Sequence, residues 1–122
     1  MMFKIGLALA FVGLEICSQV AQADDRRSVE YLLQGCRFEA LTPAPVQDRE
    51  WSEAFQCRDA LAVAIKVGPI QPKMMSSCVP ESLSPHSVAK AVVQYLEQFP
   101  ERYRERFDMR AATALHHTWP CP

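Results

Sequence analysis

The chain has 122 residues and a formal net charge of −1. That length holds one small domain and no more. A chain so near neutrality carries no strong field toward nucleic acid or a membrane surface, and neither is expected as a partner.

The first residues read as an export signal rather than as domain. Lys4 gives a short positive start, residues 5–14 are an unbroken apolar run, and Ala21-Gln22-Ala23 is a small-x-small cleavage site. This predicts a signal peptide over residues 1–23 and a mature domain over residues 24–122, beginning at Asp24. A membrane anchor is the rival reading, but a span needs about 20 apolar residues, and Glu15 interrupts this run. Lipidation at Cys17 is another rival; the residue before a lipidated cysteine is normally small, and here it is Ile16.

Cleavage removes Cys17 and leaves Cys36, Cys57, Cys78 and Cys121. An even number in a short exported chain implies disulfides. Three pairings are open, and sequence alone does not choose among them. Local logic favours Cys36 with Cys57 and Cys78 with Cys121, because each bridge then closes a loop between neighbouring elements. The chain-entropy view assigns about 3 kcal/mol to the first loop and about 4 kcal/mol to the second, large against a total stability of about 5–15 kcal/mol. A zinc site is disfavoured, since no Cys-x-x-Cys pair exists and the destination is oxidising.

Asp24-Asp25-Arg26-Arg27 is a polar lead-in expected to fray. Ser28 is suited to cap a helix, and Val29, Leu32, Leu33 and Cys36 then fall on one helical face. Gly35 weakens the last turn, and residues 38–47, with Pro43 and Pro45, read as a loop. Asp48 is the expected cap of a second helix. Trp51, Phe55, Ala62 and Ile65 mark its predicted buried face, with Ala54, Arg58 and Leu61 beside it. Residues 60–65 are apolar all round, which points to a buried segment; a buried strand is the alternative there. Gly68-Pro69 is a stop signal.

After a connector holding Pro69 and Pro72, Ser84-Pro85 reads as N-cap and first helical position. Val88, Ala91, Val92, Tyr95, Leu96 and Phe99 form the next stripe, which Pro100 ends. Residues 101–107 are highly charged, a turn or the start of a last helix. Met109, Ala112, Leu115 and Trp119 are its expected buried side. The fold class is therefore all-α, a small disulfide-stapled bundle of about four helices.

No catalytic constellation emerges. There is no Gly-x-Ser-x-Gly elbow, and Ser82, Ser84 and Ser87 near His86 are explained by turns and caps. Adjacent His116 and His117 point about 100° apart on a helix, so they are read as one half-buried and one exposed residue rather than a metal site; His86 is read as surface. Arg102, Arg106 and Arg110 recur every four residues as a basic stripe, either a solvated face or a contact for an acidic partner. Tyr95 and Trp119 are read as core. No catalytic, cofactor or metal residues are expected, and a binding protein is preferred to an enzyme.

Cys78-Val79-Pro80, then Val92-Val93-Gln94-Tyr95-Leu96 running to Phe99-Pro100, then Ala114-Leu115 running to Trp119-Pro120-Cys121 occur here in one order. In this the chain resembles the Rap/Tai immunity-protein family associated with type VI secretion. The resemblance covers residues 78–121 well and reaches loosely back to Cys57 and Cys36. It departs after the second cysteine, where relatives often place a glycine, an aromatic and another glycine; here the residues are Arg58-Asp59-Ala60-Leu61-Ala62. The resemblance implies a small periplasmic helical protein that binds and inhibits a secreted peptidoglycan amidase without catalysis, and it leaves a homodimer open. The competing expectation is a periplasmic stress protein, such as an acid-activated chaperone.

Overall fold

The computed structural model describes residues 25–41 and 48–122. The signal segment and cleavage site read in residues 1–23 and the proline loop at residues 42–47 lie outside the described residues, as does the side chain of Asp48, the expected cap. Four helices carry the fold: α1 (Val29–Glu39), α2 (Asp48–Val67), α3 (Pro85–Leu96) and α4 (Phe107–Thr118). Short 3-10 turns lie at Gly68–Ile70 and Pro100–Arg102, and among the described residues only isolated bridges occur, no strand. The class is the expected one, an all-α bundle with two disulfides.

The first backbone N–H groups of a helix have no partner within it, and α1 and α4 solve this for each other. Val29 N donates to Glu105 O at 2.9 Å and Glu30 N to Tyr103 O at 2.8 Å, while Phe107 N donates back to Arg27 O at 2.7 Å. Tyr31 N is taken by the Ser28 hydroxyl at 3.2 Å, the expected cap. Arg27 and Ser28 are thus pinned to the α3–α4 connection, where the lead-in was expected to fray. The helix also runs on through Phe38 and Glu39, which were expected in the loop. Glu39 explains this: it lies one turn beyond Cys36 on the same face, is buried, and receives both Nε (3.0 Å) and Nη2 (2.8 Å) of Arg58 on Oε1.

The packing of α1 on α2 depends on small residues. A Cβ on Gly35 would run into the Glu53 carbonyl oxygen, so glycine permits a close approach here rather than merely weakening a turn. One turn of chain away, Cys36 and Cys57 form a disulfide with Cα atoms 5.1 Å apart and no exposed surface. The buried face of α2 is Ala54, Cys57, Leu61 and Ala64, a correction to the expected face. Trp51 is 51% exposed, Phe55 49% and Val63 64%, and Ala62 is exposed as well, so residues 60–65 are not buried all round. Shape decided it: a face of alanine, cysteine and one leucine lets two bridged helices approach where tryptophan and phenylalanine would hold them apart.

α3 begins as expected. Ser84 accepts Ser87 N at 3.1 Å, and Pro85 occupies the first helical position, where its missing N–H costs nothing. Val88, Ala89, Val92, Val93 and Leu96 are its buried residues, with Tyr95 packed against the core edge. The helix closes at Leu96, ahead of Pro100. On α4 the buried residues are Phe107, Ala111, Ala114 and Leu115. Met109, expected inside, is 56% exposed. Phe107, 2% exposed, fills the centre instead, and Trp119 packs only partly against the core.

The two ends of the chain segment 78–121 are clasped. Cys78 and Cys121 form the second disulfide, with Cα atoms 5.0 Å apart. Cys78 N donates to Trp119 O at 2.8 Å, and Ser77 pairs with Pro120 in an isolated antiparallel bridge. Gly68 brings the end of α2 to this clasp: Ser77 N donates to Gly68 O at 3.1 Å, and a Cβ on Gly68 would strike the Ser77 hydroxyl.

Candidate interaction surface

Several of the polar residues singled out in the sequence are occupied by structural bonds. His116 Nδ1 donates to Ser76 O at 2.7 Å, and His117 is exposed with its ring 5.1 Å from Tyr95. The two imidazoles do not converge. His86, read as plain surface, is partly buried, and its Nδ1 donates to Glu39 O at 3.1 Å, fastening α3 to the end of α1. Ser84 and Ser87 hydrogen bond to each other at 3.0 Å within the cap. Among the described residues, no three His, Cys, Asp or Glu side chains stand where they could hold a metal ion.

The basic stripe of Arg102, Arg106 and Arg110 dissolves in three dimensions, because these residues do not share a helix. Arg102 lies in the 3-10 turn and pairs with Glu105 at 3.3 Å; Arg106 precedes α4 and pairs with Asp108 at 2.7 Å. Arg110, whose side chain is only 11% exposed, lies 5.7 Å from the Tyr95 ring centre and 5.4 Å from that of Phe99. A guanidinium over two aromatic faces is held by the ring quadrupoles, so Arg110 serves the α3–α4 packing.

Exposed apolar side chains occur singly at Tyr31, Leu41, Ile70, Met74 and Met109, and in a row on α2. Trp51, Phe55, Arg58, Ala62 and Ile65 succeed one another on one line of the helix; Trp51, Phe55 and Ala62 are exposed, Arg58 reaches back to Glu39 of α1, and Ile65 is half-buried against the core. Beside its C-terminal half is a groove of about 190 Å³, with Leu61, Ala62 and Ile65 on one side and Val79, Leu83 and Val88 on the other. Arg58 and Glu81 also line it. Sequence reasoning missed this groove, since its far wall comes from a non-periodic connector. One signal was available: a carboxylate at Glu39, on the buried face of α1, demanded a cationic partner, and that partner is Arg58.

No described helix is long and apolar enough to cross a membrane. The fold defines a small, disulfide-stapled helical domain. The family model of the Rap1a immunity proteins matches residues 14–121, and the chain belongs to that family. The match takes in all four bridged cysteines, extending the resemblance read from residues 78–121. Among curated proteins and among solved structures, nothing matches the chain.

Proposed function

We propose that this chain is a periplasmic immunity protein that binds a secreted cell-wall amidase and blocks its cleft, protecting the cell that makes it. Membership of the immunity family carries this reading, since such proteins act by binding a cognate effector. On this reading residues 1–23 are removed on export and residues 24–122 fold in the oxidising space. Inhibition needs no reacting group. It needs a surface that excludes substrate and that loses little freedom when bound. The buried Cys36–Cys57 bridge and the Cys78–Cys121 clasp support such stiffness.

The test is direct. The oxidised protein, titrated into purified secreted peptidoglycan amidases, is expected to abolish hydrolysis by its cognate enzyme near one-to-one stoichiometry. Full hydrolysis by every amidase with the protein in excess would rule out the amidase target.

A further inference from the structure

The outward line of α2 is a seam largely uncovered by the fold: only Arg58, bonded to Glu39, and Ile65, half-buried against the core, meet partners within it. Trp51, Phe55, Arg58, Ala62 and Ile65 are spaced four, three, four and three residues apart, the rhythm by which one helix meets another. At 1.5 Å per residue this seam runs about 21 Å. Its first half stands free, with Trp51 51% and Phe55 49% exposed. Its second half is walled by Val79 and Leu83, so seam and groove together form a trough.

The charges in the trough are placed, not scattered. Arg58 sits at the midpoint, its Nε and Nη2 committed to the buried Glu39, so the guanidinium is held in a fixed pose, and its remaining donors meet no acceptor among the described residues. Glu81, on the opposite side, has no ion pair among the described residues. A second copy is a poor occupant. Two-fold antiparallel pairing of a seam centred on residue 58 would set Arg58 against Arg58, and like charges directly opposed are unfavourable.

We propose, resting on the immunity reading for the identity of the partner, that this trough receives an amphipathic helix of the effector protein. That helix presents apolar side chains at three- and four-residue spacing, a carboxylate opposite Arg58 and a basic side chain opposite Glu81. Helix-in-groove recognition of this kind reads the anchors at i, i+3, i+4 and i+7.

The experiment uses the oxidised chain and two probes. The first is a synthetic helical peptide of about 16 residues, long enough to span the seam, with leucines at that spacing, one central glutamate and one lysine. In an NMR titration, shifts are expected at the Trp51 indole and at the amides of Phe55, Val79 and Leu83. Phe55→Glu, Ala62→Glu, or replacing the peptide glutamate by lysine should each weaken binding about tenfold or more. Circular dichroism verifies that both variants, which alter exposed positions, remain folded. Absence of shifts at millimolar peptide, shifts confined to another surface, equal binding of the lysine peptide, or concentration-dependent self-association through Trp51 would each overturn the proposal. The second probe is an amidase that the wild-type chain inhibits. If Phe55→Glu inhibits it equally well, the trough assignment fails while the immunity reading stands. If the peptide binds as expected but no amidase is inhibited, the trough stands and the amidase target fails.

Discussion

Gly35 is a residue whose value is the atom it lacks. The obstacle to a Cβ there is the Glu53 main chain, which cannot swing aside as a side chain could. Gly35→Ala is therefore expected to lower the unfolding free energy by about 1–3 kcal/mol, the range for overpacking, as measured by urea denaturation of the oxidised protein. The Glu39–Arg58 pair makes a second test. Removing Arg58 strands a carboxylate whose side chain is 7% exposed, so Arg58→Ala is expected to cost about 1–3 kcal/mol in the same assay. At this scale the sequence was readable where chemistry is local: Ser28 and Ser84 cap as their positions suggest. Gly35 was not readable, because what it accommodates lies on another helix.

The helices themselves were legible and their orientation less so. Periodicity located all four, but on α2 it picked the wrong side. Tryptophan, phenylalanine and isoleucine outrank alanine and cysteine in hydrophobicity, and the bridged contact with α1 reversed that order. α4 repeats the lesson on a smaller scale: Met109 faces out, while Ala111 and Ala114 face in beside Phe107 and Leu115. A pair of substitutions tests this assignment. Phe55→Ser, on the outward line of α2, should change stability by no more than about 0.5 kcal/mol. Phe107→Ala, at 2% exposure, should lose about 3–5 kcal/mol. Thermal melts of both variants would separate an inward α2 line from an outward one.

For the whole molecule, the two bridges differ in access rather than in kind. Cys36 and Cys57 are fully enclosed, whereas Cys78 is exposed and Cys121 partly so. Under a graded series of mild reductant, followed by alkylation and mass spectrometry, Cys78 and Cys121 are expected to label first. Cys36 and Cys57 should label only when the bundle opens. Family membership was legible because its motifs sit at the clasp and along α3, where spacing is set by the fold. The trough was not, because it joins a helix face to a connector about twenty residues further along and no pattern in one dimension brings them together.

Each bridge links a cysteine to the next one along the chain, Cys36 to Cys57 and Cys78 to Cys121. A polypeptide threaded through a membrane N-terminus first presents its thiols in that order. An oxidant that joins them as they emerge makes the native pairs at once, before a wrong partner has arrived. Such a product does not depend on an isomerase to unscramble it, which fits the proposed role of a protector that must be ready before its target arrives.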